Sequence, residues 1–218
     1  MTKHVLRLYA DQLEPGGVSA LLAQANRAIY VTDGSVICRA CGVAASLAFN
    51  SAWQGCFGVT LTSGPKGARL LRWELSTSEP MLLAGSGITS VLALAGEPHI
   101  EAGTDYLMRC DRVDFPPSGI AFTHTHEGSG IRCLQQGRIR IKTLGKTFWV
   151  EPGGAWFETG SDPVFAQTRP DGPSYFVRVM ILPRSIRGRS SIRYVKPEDA
   201  DKPKTQTYQV FADEPIEL

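Results

Sequence analysis

A chain of 218 residues, 43% hydrophobic and 20% charged, is long enough to bury a core and too apolar to remain disordered. Its 23 Lys and Arg against 21 Asp and Glu leave a formal charge of +2, too even for a protein that binds nucleic acid by charge alone. Twenty-two Gly and 14 Pro interrupt the chain often, which favours many short strands over long helices.

Residues 1–9 mix Lys3, His4 and Arg7 with apolar residues and hold no uninterrupted apolar stretch of the signal-peptide kind, so the expected compartment is the cytoplasm. Residues 17–27 carry the one helix-like pattern. Cys38 and Cys41 form a CxxC with no second pair to complete a zinc site, and they follow Val36 and Ile37 in a strand-like run. The Cys38 and Cys41 pair reads as buried thiols, and the five cysteines, Cys38, Cys41, Cys56, Cys110 and Cys133, odd in number and irregular in spacing, read as free thiols in a reducing compartment. The longest uncharged run, residues 81–96, falls short of the roughly 20 residues that span a bilayer. The expected partner is therefore a small-molecule substrate, with neither nucleic acid nor membrane.

Two halves of the chain resemble each other. Tyr30-Val-Thr-Asp-Gly34-Ser-Val-Ile aligns with Cys133-Leu-Gln-Gln-Gly137-Arg-Ile-Arg at an offset of 137 − 34 = 103. The stretch Phe49-Asn-Ser-Ala52-Trp53-Gln54 aligns with Pro152-Gly-Gly-Ala155-Trp156-Phe157 at 155 − 52 = 103. Further on, Leu70-Leu-Arg72-Trp aligns with Phe176-Val-Arg178-Val at 178 − 72 = 106. The chain reads as two copies of a unit of about 100 residues. Each copy alternates short apolar runs with Gly, Pro and Asp turns, and residues 137–150 alternate with the period of a half-buried strand. An all-β pair of small barrels or jelly rolls follows.

Chemistry concentrates in residues 119–137, which hold His124 and His126, two of the four histidines. In a strand, residues i and i+2 share a face, so two imidazoles stand side by side and make a natural start to a metal site. Phe122 shares that parity and implies an apolar surrounding. Arg132 lies two residues past Gly130 on the same parity and points a guanidinium into the same interior, where it needs an anionic partner. That partner is either a protein carboxylate or the carboxylate of a substrate held bidentately.

With these residues the sequence resembles the cupin superfamily. His124-Thr-His126 followed by Gly130 and Gly137 matches the first cupin motif, and Gly145 through Pro152-Gly153-Gly154-Ala-Trp-Phe157 matches the second. The resemblance extends to both copies and implies a bicupin: two double-stranded β-helix barrels, residues 1–80 degenerate and residues 81–218 carrying the His pair and a C-terminal arm. Two departures stand out, since the motif's Glu position falls on Gly130 and its second His position on Phe157. In the N-terminal copy the 103 offset places Leu21 and Ala23 where the histidines stand, and Gln54 opposite Phe157.

The resemblance implies a divalent metal, iron first, with manganese, nickel or zinc as alternatives, held by His124 and His126. The third ligand comes from Glu158, Glu127, the other barrel or the substrate, with Glu158 the leading candidate even though strand parity turns it away if Phe157 faces inward. Phe122, Arg132, Trp156 and Phe157 are the expected substrate contacts, suited to a small organic acid, aromatic or otherwise unsaturated. The function implied is a metal-dependent enzyme of dioxygenase type; the alternative, a non-catalytic binding or sensor protein, draws on the two missing ligands. Residues 184–196 hold five basic side chains and no acid, and the tail from Pro197 onward is acidic, so these charges can pair within the barrel or across a homodimer.

Overall fold

The structure, a computed structural model, describes residues 3–218. Strand follows strand along the chain, as the breaks at Gly and Pro require. The chain divides into two compact units, one ending at Glu97 and the other running from Pro98 to Ile216. The division lies beyond the expected boundary at residue 80, because residues 88–96 pair with the first strand, from Leu13↔Ile88 to Leu6↔Gly96.

The first unit contains β1 (Val5–Leu13), β2 (Asn26–Ala40), β3 (Val43–Ala48), β4 (Ala52–Gly55), β5 (Thr60–Ser76) and β6 (Ile88–Gly96). They run antiparallel in the order β3-β2-β5-β1-β6, with β4 beside β2. No helix forms over residues 17–27. Val18 bridges to Thr62 and Leu22 to Val59, so the segment lies along β5 and its backbone groups are satisfied there. Leu22 is buried and its neighbour Leu21 is exposed.

The second unit contains β7 (Tyr106–Phe115), β8 (Ile120–His126), β9 (Gly130–Gln136), β10 (Ile139–Thr143), β11 (Lys146–Val150), β12 (Ala155–Glu158), β13 (Val164–Thr168), β14 (Ser174–Pro183), β15 (Ile192–Tyr194) and β16 (Thr207–Ile216). Two five-stranded antiparallel sheets result, β11-β10-β13-β8-β15 and β12-β9-β14-β7-β16. One core joins them. Val113, Phe115, Leu134, Trp156 and Phe176 come from the second sheet, and Ala121, Ile139, Ile141, Val164 and Ala166 from the first.

Strand pairing repeats between the units residue for residue. Tyr30↔Ala52 and Ile29↔Trp53 in the first correspond to Cys133↔Ala155 and Arg132↔Trp156 in the second, all at 103. Ile29↔Arg72 corresponds to Arg132↔Arg178 at the expected drift to 106. Gly34 and Gly137 both take left-handed backbone, with φ of 71° and 76°, at the corner where the chain leaves one strand pairing for the next. A Cβ on Gly34 would lie 2.1 Å from the Gly67 carbonyl oxygen and one on Gly137 2.1 Å from Ser174 Oγ, so both corners are closed to larger residues.

All five cysteines are free; Cys38, Cys110 and Cys133 are buried and Cys56 is exposed, and one departs from expectation, Cys41, which sits exposed in the β2–β3 turn. The basic run at 184–196 is largely neutralised inside the second unit: Arg184 pairs with Asp105, Arg187 with Glu214 and Arg193 with Glu127.

Candidate metal centre

His124 and His126 lie on β8 and both point into the second unit's interior, with 5% and 8% of their surface exposed. Their rings stand edge to face, centroids 4.8 Å apart. Nδ1 of His124 donates to the Phe122 carbonyl oxygen at 2.6 Å. Nδ1 of His126 lies 3.2 Å from Ser191 Oγ, a hydroxyl directed at Met180 Sδ and therefore free to accept. Donation from both Nδ1 atoms would leave both Nε2 lone pairs facing the cavity, the tautomer a metal ligand needs. Burial lowers the pKa of His124, and burial together with Arg132 and Arg178 lowers that of His126 further, so both rings are neutral.

Glu158 shares the cavity, contrary to the parity expected of it. On β12, Glu158 pairs directly with Gly130 and Trp156 with Arg132, and opposite residues of an antiparallel pair share a face. Inward-facing Gly130 and Arg132 therefore carry Glu158 and Trp156 inward with them, and Phe157 is turned away from the cavity. A Cβ at Gly130 would meet the Val179 carbonyl oxygen at 2.4 Å, so no acid can occupy the motif position itself. The carboxylate comes from the facing strand instead.

Phe122 also lies outside the cavity, and a bulge is the reason. Val164 pairs with His124 but Ala166 pairs with Ala121, so three steps along β8 match two along β13 and the side-chain alternation inverts between Ala121 and His124. Ala121 faces inward with the histidines, while Phe122 packs beneath Lys202, whose Nζ is 4.6 Å from the ring centroid. Trp156 and Arg132 are in the cavity; Phe122 and Phe157 are not. Glu127 is on the outside, paired with Arg193.

Among the lining residues not anticipated as contributors are Arg178, Tyr208, Ile192 and Phe176. Arg178 is held by Asp111 through Nε at 2.6 Å and Nη2 at 3.0 Å. An Arg in the apolar run Phe176-Val-Arg178-Val was the available signal, because a buried guanidinium demands a partner. Tyr208 and Ile192 come from β16 and β15, the arm, whose docking no local pattern announces.

Glu158 Oε1 accepts from Trp156 Nε1 at 2.7 Å. Oε2 lies 2.6 Å from Arg132 Nη2, yet neither atom has a hydrogen bond of ordinary geometry. Oε2 is also 3.5 Å from His126 Nε2. Two ligands bonded at about 2.1 Å to a tetrahedral ion stand about 3.4 Å apart, so this pair is spaced as neighbours around one cation. Imidazole nitrogen and carboxylate oxygen are ligand types that a divalent transition metal takes. Among the described residues no three His, Cys, Asp or Glu converge as a group that could hold a metal ion, and Glu158 is paired with Arg132. The space enclosed is about 20 Å³, enough for an ion or a water molecule.

Compared by sequence, the chain matches no family model and no curated protein. Compared by structure, it is similar to oxalate decarboxylase of Bacillus subtilis. A deletion mutant of that enzyme superposes with a TM-score of 0.68 at 13% identity, over 90% of this chain and 73% of that one. The fold is that of the cupins. The enzyme at pH 4.6 gives 0.68 at 12% identity over 93% and 73%, and the form studied for its Mn(II) centres 0.68 at 12% over 90% and 73%. At these identities the likeness is one of fold, and the site rests on its own geometry.

Proposed function

We propose that this protein is a metal-dependent cupin enzyme acting on a small organic acid in its second unit, with His124, His126 and Glu158 as ligands. The observation that carries it is the pair of buried imidazoles, each with Nδ1 within hydrogen-bond distance of a partner, beside a buried carboxylate oxygen that lacks a well-formed hydrogen bond. The Mn(II) centres of the decarboxylase of like fold support a divalent ion and put manganese beside the iron expected from sequence. When bound, the ion supplies a Lewis acid with positions open to substrate oxygens. Trp156, Phe176 and Phe115 form an apolar wall that keeps water out, and Arg132 and Arg178 favour an anionic ligand. The matched strand registers support the bicupin reading, two barrels from one duplicated unit.

Dioxygenase-like chemistry is the reaction proposed; the fold neighbour makes decarboxylation its competitor, and oxygen uptake against carbon dioxide release separates them. The enclosed volume of about 20 Å³ favours a second reading, a binding or sensor protein with no turnover. Elemental analysis decides the first step. The purified chain should carry a transition metal in its second unit and lose it in His124→Ala; native chain that remains metal-free after incubation with Fe(II) and Mn(II) contradicts the enzyme reading.

A further inference from the structure

The outer face of the sheet β11-β10-β13-β8-β15 carries a groove of about 720 Å³, inside the size range of small-molecule sites. Ile139, Ile141, Val164 and Ala166 turn to the core, so alternation along β10 and β13 sends Arg140, Lys142 and Phe165 outward, and all three line the groove. Phe165 stands directly opposite Lys142 in the ladder. Neither cation has a carboxylate partner among the described residues. Arg140 Nη2 donates to the Gln167 side-chain oxygen at 2.5 Å, and the groove lining contains no acid. Arg138, just before β10, is by contrast neutralised by Glu151. At the rim, Thr143 pairs with Lys146 and leaves Leu144 and Gly145 as a two-residue turn, with φ of 50° and 72°. Such turns favour Asn and Gly, and a leucine in left-handed backbone is an outlier. Its side chain is nonetheless 67% exposed beside the groove. The first unit has the same turn at the 103-residue offset, Cys41 and Gly42 with φ of 48° and 76°. There, however, Ile37 stands in place of Arg140, and Thr60 faces Arg39 where Phe165 faces Lys142. The cations, the ring and the strained leucine are therefore additions to a shared backbone.

We propose that this groove binds an aromatic carboxylate, its ring against Phe165 and Leu144 and its carboxylate between Arg140 and Lys142. Two cations without carboxylate partners select an anion, and the guanidinium fork of Arg140 matches the two oxygens of a carboxylate. The apolar body of the ligand is selected by Phe165, Pro163 and Leu144, which an inorganic anion would leave uncovered. A groove of about 720 Å³ admits a fused ring, whereas the interior, at about 20 Å³, does not. No residue lines both spaces, so the groove stands independently of the metal reading.

Calorimetry on the whole chain with naphthalene-2-carboxylate, at about 50 mM salt so that exposed charges are weakly screened, tests the proposal. The neutral naphthalene-2-carboxamide and the ringless acetate should each bind about tenfold more weakly than the naphthoate. Arg140→Gln combined with Lys142→Gln should lower naphthoate affinity about tenfold, while Arg39→Gln at the first unit's equivalent turn should leave it unchanged. Leu144→Gly should weaken binding yet raise the unfolding midpoint, because glycine relieves the turn while the apolar wall is lost. The native-chain comparison of the three ligands needs no variant, so a variant that fails to fold leaves the test intact. Naphthoate that binds the double glutamine variant as tightly as the native chain overturns the proposal, as does carboxamide binding equal to that of the naphthoate. No naphthoate binding by native chain up to about 10 mM overturns it as well. His124→Ala should retain naphthoate binding; loss there would move the ligand to the interior and contradict the groove. A native dimer that the double variant splits would assign this face to a second copy of the chain, again overturning the proposal.

Discussion

Equivalent strand positions in the two units carry opposite interiors. In the second unit Val164 pairs with His124; in the first, Val59 bridges to Leu22, which is buried in an apolar cluster with Ile29, Val59, Leu61 and Leu70. Where Arg132 stands opposite Trp156, the first unit has Ile29 opposite Trp53, and where Glu158 stands it has Gly55. A Cβ on Gly55 would lie 2.5 Å from the Trp53 ring, so that space is already filled. The first unit keeps its buried charges elsewhere. Arg72, fully buried, binds Asp11 at 2.7 Å and Glu74 at 2.6 Å, and Arg27 shares Glu74 at 2.5 Å. One backbone thus supports a closed core and a candidate metal site, and a handful of inward side chains decides which.

The comparison breaks most visibly at Arg72. Arg72→Met leaves Asp11 buried without its guanidinium and Glu74 with Arg27 alone, and chemical unfolding should register a loss of about 3–5 kcal/mol, with the metal affinity of the second unit unchanged in protein that remains folded. A loss under 1 kcal/mol would show that the network is solvated rather than structural. Next in size, Leu22→His places an imidazole where His124 stands in the other unit. It should cost about 3 kcal/mol through lost packing and an unpartnered ring, and should add no metal ion, because Ile29 and Gly55 offer no carboxylate. A second bound ion in Leu22→His would mean that histidines alone, not Glu158, make the site.

Acid sharpens the contrast in the metal-free chain. His124 and His126 have pKa values below the ordinary 6.5, so unfolding takes up protons that the fold refuses. Their contribution is fully present above about pH 6.5 and is lost as pH falls from there toward the folded values, at up to about 1.4 kcal/mol per pH unit for each ring. Replacing both rings with Leu should flatten the denaturation midpoint in that window; an unaltered pH slope would place the rings in solvent. The smallest effect is chemical. Burial raises the Cys38 and Cys133 thiols to about 12 and Cys110 above that, so a thiol reagent on native protein should label Cys41 and Cys56 rapidly and the rest only on unfolding.

Long-range repetition was legible in the sequence where local parity was not. The 103-residue offset found equivalent strands, because corner glycines and tryptophans hold the same backbone positions in both copies. It slipped at the first cross-strand contact: pairing makes Leu22, not Leu21, the counterpart of His124, an offset of 124 − 22 = 102. Ala23 is correspondingly not the counterpart of His126. The His pair and Arg132 could be placed by counting in twos along single strands. Phe122 could not, since the bulge is set by β13, and Phe157 and Glu158 exchanged roles because β12 takes its facing from β9 rather than from motif spacing. Residues 17–27 looked helical by composition yet are recruited to β5, which supplies the hydrogen-bond partners a short helix would otherwise make for itself.

We propose a metal in the second unit's interior alone, and anomalous diffraction from crystals grown with Mn(II) tests that directly. One peak, about 2.0–2.3 Å from Nε2 of His124, Nε2 of His126 and an oxygen of Glu158, is the predicted result. A peak inside the first unit, or a second unit whose histidine rings carry no density between them at saturating Mn(II), would contradict it.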